Sequence, residues 1–160
     1  MMMMYQFFAK LGYNKRQAEW FPILIVRIFI GVFFILSGFF KIFDSKQHEN
    51  LLKTLKDAHI PFSEFNAYLV PFLELLCGFL ILVGLLTTIA SFVLFVIMIM
   101  AIVTDRTASI AHHVGIMSLE NFLYLPEVLY GLMFLWLFFS GPGKVSIDYK
   151  YGKNKRLKSY

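Results

Sequence analysis

Apolar residues along this chain gather in long unbroken blocks instead of recurring at spaced positions. Four runs dominate, at residues 20–43, 65–86, 88–104 and 122–140. Runs of about 17–25 residues are what roughly 30 Å of hydrocarbon asks of a helix. A backbone crossing lipid must satisfy its own polar groups, which in short separate runs means helices. The pattern therefore predicts an all-α fold, a four-transmembrane-helix bundle. Residues 45–59 differ, with Leu51, Leu52, Leu55 and His59 on one side and Lys46, Glu49, Lys53 and Lys56 mostly elsewhere. That spacing predicts an amphipathic interfacial stretch between helices 1 and 2, on the membrane surface or over the bundle mouth. Asp44 offers its N-cap, with Gln47 completing a capping box, and Pro61 ends it. Only Gly84-Leu-Leu-Thr-Thr separates the second and third runs, which predicts a tight antiparallel hairpin. Gly141-Pro142-Gly143 stops the fourth.

Composition agrees with this reading and narrows it. Hydrophobic residues make up 59% of the 160 and charged residues 16%, against about 45–50% and 25% in soluble domains. One bundle, residues 20–143, lies between an N-terminal segment, 1–19, and a basic tail, 144–160. The first run is too long for a signal-peptide core and no small-residue cleavage site follows it. A net charge of +5 could suggest nucleic acid, but six of the fifteen basic residues lie in the tail, directly after an apolar block. That placement fits anionic lipid head groups, and no nucleic-acid partner is expected. The N-terminal segment and tail hold nine basic residues together. The opposite loops hold Lys46, Lys53, Lys56 and Arg106, with Lys41 as a fifth. The positive-inside rule then puts both termini in the cytoplasm. Cys77, the lone cysteine, excludes an internal dithiol pair and reads as a small apolar filler.

Ionisable residues inside spans cost roughly 2.5–3.5 kcal/mol each on insertion scales and usually face the bundle interior. The candidates are Arg27 and Lys41 on the first helix, Glu74 on the second, Asp105 ending the third and Glu127 on the fourth. At about 100° per residue Arg27, Gly31, Gly38 and Lys41 share one face, small and polar enough for close helix contact. Glu74 and Gly78 are four apart, as are Glu127 and Gly131, so each carboxylate shares its face with a glycine. Side chains lean toward the N-terminus of their own helix. Lys41 therefore leans into the membrane while Glu74 and Glu127 lean outward to meet it. The expected cluster is Lys41, Glu127 and Glu74, with Asp105 nearby, in the outer half of the bundle. An Arg27–Glu74 pairing is the alternative, and otherwise Arg27 snorkels to the cytoplasmic face. Such a cluster either fixes helix register or forms a ligand or proton site.

Other chemistry is thin. His112 and His113 are adjacent, so they point in different directions, and no Cys or His lies at metal-ligand spacing from them; a solvated loop is expected and no metal. Tyr124, Tyr130, Trp136 and the many Phe residues serve first as core and interface-belt residues. No nucleophile–base arrangement, phosphate loop or redox dithiol is present, so no independent catalytic motif supports an enzyme.

The order Arg27-x-x-x-Gly31, Ser37-Gly38-Phe-Phe-Lys41, Pro61, Glu74-x-x-x-Gly78 and Gly84, closing on Gly141-Pro142-Gly143-Lys144-Val-Ser146-Ile-Asp148, resembles the DoxX family of bacterial four-helix membrane proteins. The resemblance covers about residues 22–148. It implies a protein of the bacterial cytoplasmic (inner) membrane associated with redox complexes, since DoxD-type relatives form the membrane subunit of a thiosulfate:quinone oxidoreductase and some DoxX proteins act in oxidative-stress assemblies. It implies a quinone as cofactor and soluble redox proteins as partners, and it carries no catalytic residue across. The other reading is a small transporter or lipid-binding protein using intramembrane carboxylates, in which four short helices would call for a homodimer.

Overall fold

A computed structural model describes residues 20–109 and 122–150, with side chains for 21–104 and 122–150. Every regular element among them is helical: α1 (Trp20–Phe43), α2 (Ser45–Asp57), α3 (Ser63–Val83), α4 (Thr87–Ser109) and α5 (Pro126–Ser140). α1, α3 and α4 are each long and apolar enough to cross a membrane, and α5 is a shorter apolar helix. Together they form a four-helix bundle, with α2 as the amphipathic element between the first two spans.

Helix ends follow from the local sequence. Asp44 caps α2 by accepting from the Lys46 amide. Gly84 takes the left-handed conformation at the end of α3, which lets the Leu85 amide reach back to the Leu80 carbonyl at 2.9 Å and closes the helix in a Schellman-type turn. The fourth apolar run begins at Phe122, yet α5 starts only at Pro126. Proline clashes with an α conformation in the residue before it, and Leu125 is accordingly extended, at φ −67° and ψ 123°. Fifteen residues at 1.5 Å each give α5 a length of about 22 Å, the shortest of the four bundle helices.

α1 packs most closely on α3, and α4 on α5. The first pairing is built on glycine. A Cβ on Gly31 would lie 3.0 Å from the Gly78 carbonyl oxygen and 2.8 Å from Leu82 Cβ, and one on Gly38 would overlap the Pro71 carbonyl oxygen. Gly31 and Gly38 are two turns apart on α1, as Gly78 and Pro71 are on α3, so the helices touch backbone to backbone at both levels. Pro71 lacks the amide that would bond back into α3, a defect that close neighbours make tolerable within a membrane.

The buried core, which includes Ile30, Phe34, Cys77, Ile81, Leu94, Met98, Phe134 and Leu137, is narrow. Large apolar side chains cover the outside: Phe29, Phe65, Phe72, Phe79, Ile89, Phe92, Leu132 and Phe139 are all more than half exposed. A soluble monomer rarely shows apolar surface on this scale; lipid is its natural neighbour. α1 and α5 meet through rings, with Phe34 edge-on to both Phe134 (centroids 5.0 Å apart) and Tyr130 (5.6 Å).

Candidate functional site

Two polar centres interrupt the apolar interior, one at each end of the α1–α3 pair. The first is at the end that carries α2. Lys41 Nζ donates to both carboxylate oxygens of Glu74, each at 2.8 Å, and the Ser37 hydroxyl donates to the same carboxylate at 3.1 Å. Glu74 is 2% exposed, whereas the Lys41 side chain keeps 28% of its surface open. The glycine contacts set Glu74 about level with Ser37, so Lys41 starts roughly one turn, about 5 Å, further along the axis. Opposite leans close that gap: each side chain slants toward the N-terminus of its own helix, and the helices are antiparallel.

This pair forms part of the wall of two adjoining cavities. The larger, of about 340 Å³, is roofed by Leu51, Thr54 and Leu55 of α2 and bounded by Val70 of α3 and by Val96, Ile97 and Met100 of α4. The smaller, of about 240 Å³, lies toward the seam of α1 and α5, against Phe33, Phe34 and Tyr130. Lys41, Glu74, Ala101 and Glu127 line both. Glu127 is half-buried in the first turn of α5, where the helix dipole favours an anion. No hydrogen bond or ion pair joins it to another described residue.

The second centre is at the opposite end. Arg27 is 1% exposed and donates only to backbone carbonyls: Nε to Ile81 at 3.0 Å, Nη2 to Leu82 at 3.2 Å, and Nη1 to Pro142 and Val145 at 2.8 Å each. It leans in the expected direction, but instead of snorkelling into solvent it is enclosed by carbonyls of the last turn of α3 and of the segment after α5. Gly84 is the floor of this enclosure; a Cβ there would overlap the guanidinium. Asp148 completes it from the far side, accepting from the amides of Leu86 (2.9 Å) and Thr87 (3.0 Å) while its own amide donates to the Gly84 carbonyl at 3.1 Å.

Of the five ionisable candidates, the structure therefore brings Lys41, Glu74 and Glu127 around one pair of cavities and holds Arg27 apart from them; Glu74 is paired with Lys41, not Arg27. The side chain of Asp105 lies outside the described residues, as do His112 and His113. Gly31, Gly38 and Gly78 sit at tight helix contacts. Gly131 is buried, but a Cβ there would meet nothing closer than Met98 at 3.8 Å, an ordinary van der Waals distance. Among the described residues no three His, Cys, Asp or Glu are grouped as a metal site would need.

Two participants escaped the sequence reading. Ser37 was signalled by its spacing, one turn before Lys41 on the same face. Asp148 was signalled indirectly: α4 begins after Leu86, which has no side-chain acceptor, and an uncapped N-terminus calls for one from elsewhere.

A bundle of apolar helices with a lipid-facing exterior and an ion pair set into the wall of an internal cavity defines an integral membrane protein. The family model described as DoxX matches residues 22–107, and the chain belongs to the DoxX family. It is similar to a protein of Mycobacterium tuberculosis described as "Uncharacterized membrane protein Rv3486", 30% identical over 138 residues that cover 82% of each chain. No solved structure matches it.

Proposed function

We propose that this DoxX-family protein is a membrane subunit of a redox complex in the bacterial cytoplasmic membrane, with both termini in the cytoplasm. In this reading the 340 Å³ cavity receives the head of a membrane-dissolved ligand of the quinone class. The observation that carries it is the placement of the Lys41–Glu74 pair. An ion pair that only fixed helix register would be packed on all sides, yet this one borders a cavity lined mostly by apolar side chains, with Thr54, Asn66, Thr104 and Glu127 as the other polar residues described there. Lys41 is the donor that a carbonyl head could accept from, and soluble redox partners would dock outside the bundle. Purification of the native complex in mild detergent, with mass spectrometry of the partners and extracted lipids, tests the proposal. Co-purifying redox subunits and a bound quinone are expected. A lone protein without quinone, whose deletion leaves respiratory redox balance unchanged, would overturn it.

Glu127 favours a second reading, transport or binding of a small molecule by intramembrane carboxylates, because it faces the cavities without a partner among the described residues. In that case Glu74→Gln and Glu127→Gln abolish a pH-dependent flux in proteoliposomes while the fold survives, and the working unit is a homodimer. If both variants only lower stability, this reading fails.

A further inference from the structure

The smaller cavity has features that a quinone does not use. Three rings border it: Phe33 and Tyr130, with centroids 4.8 Å apart and planes tilted by 33°, and Phe34, 5.6 Å from Tyr130 and nearly perpendicular to it. Two carboxylates, Glu74 and Glu127, and one ammonium, Lys41, share the same lining. Both oxygens of Glu74 are already held by Lys41, so that cation is compensated. Among the described lining residues, one cation against two carboxylates leaves Glu127 without an opposite charge.

We infer that the 240 Å³ cavity binds an organic ammonium, an amphipathic cation whose charged head lies between Glu127 and the rings and whose apolar body extends toward the larger cavity or the lipid. Three arguments support this class. A half-buried carboxylate with no partner among the described residues carries a desolvation cost, and a cationic ligand offsets it. Aromatic faces attract cations, more strongly as the site is desolvated, so the same head gains twice. A bare metal ion would leave most of the 240 Å³ empty and find only carboxylates as strong ligands, while an anion would meet the like charge of Glu127. The inference goes beyond the redox assignment and holds whether or not redox partners exist.

The test uses the full chain in phosphatidylcholine nanodiscs, whose zwitterionic surface does not itself gather cations, with empty nanodiscs as blank. Equilibrium binding of radiolabelled phenyltrimethylammonium is compared with that of tert-butylbenzene, its neutral counterpart of the same shape. The ammonium is expected to bind at least tenfold more tightly. Glu127→Gln should remove that preference, and Tyr130→Leu should weaken ammonium binding severalfold while sparing the neutral compound. Equal affinities for the two probes on the unmodified protein overturn the inference, even if Glu127→Gln proves too unstable to measure. A preference that survives in a folded Glu127→Gln protein overturns it as well. The presence or absence of quinone in the native complex has no bearing on this measurement, so the two proposals can fail separately.

Discussion

Removing Lys41 and removing Glu74 should not cost the same, although they are partners in one ion pair. The asymmetry comes from exposure: the Lys41 side chain keeps 28% of its surface and the Glu74 side chain 3%. In Glu74→Gln, Lys41 loses its acceptor but can turn toward water, and the new side-chain amide can still bond Ser37, so the expected loss is about 1 kcal/mol, the net worth of an ordinary hydrogen bond. In Lys41→Met, Glu74 is left buried with only the Ser37 hydroxyl, and stranding one member of a buried pair costs about 3–5 kcal/mol. The double variant Lys41→Met/Glu74→Gln strands no charge and should return to within about 1–2 kcal/mol of the parent, the desolvation of the pair being saved along with its attraction. The coupling energy of the cycle is then about 2–5 kcal/mol. Reversible unfolding by SDS in mixed micelles, followed by far-UV circular dichroism, measures all four proteins. A Lys41→Met protein no less stable than Glu74→Gln would refute the reasoning.

The other predictions concern backbone contacts. Gly84→Ala places a methyl in the Arg27 guanidinium at a φ of +76°, and the same unfolding assay should show a loss of more than about 2 kcal/mol, since the left-handed conformation alone costs about 1–2 kcal/mol. Asp148→Ala removes the cap of α4 and should cost about 1–2 kcal/mol, with faster hydrogen exchange at the Leu86 and Thr87 amides than at mid-helix amides such as Leu94. Gly38→Leu drives a side chain into the Pro71 carbonyl and should separate α1 from α3, read as loss of a disulfide between cysteines introduced at Ile35 and Leu75; Gly131→Ala, where a methyl has room, should leave stability within about 0.5 kcal/mol of the parent.

The spans were legible because bilayer thickness, not tertiary detail, sets their length, and an uninterrupted apolar block records it directly. Lys41–Glu74 was legible for a related reason: helix polarity fixes which way each side chain leans, and the two leans converge. The late start of α5 was written in Pro126 but masked by the apolar residues before it. The fate of Arg27 was not legible. Its four acceptors are carbonyls of Ile81, Leu82, Pro142 and Val145, and a backbone carbonyl leaves no mark on the sequence beyond the glycines and prolines that free it from a helix. Nor could spacing show that Glu127, expected beside Lys41, would border the cavities with no partner among the described residues, while the Ser37 hydroxyl, not a second cation, is the other donor to Glu74.

The enclosure of Arg27 also imposes an order on assembly. Arg27 leaves the ribosome more than a hundred residues before Pro142 and Val145, and Gly84 and Thr87 long before Asp148. While the first three long helices are being inserted, the guanidinium has at most the carbonyls of α3, and the α3–α4 turn has no cap. The short segment after α5 therefore acts as a latch that closes only when synthesis has passed Asp148. A chain halted before it would carry a half-solvated cation at the edge of an otherwise finished bundle, which is a mark by which membrane quality control could distinguish the incomplete protein from the complete one.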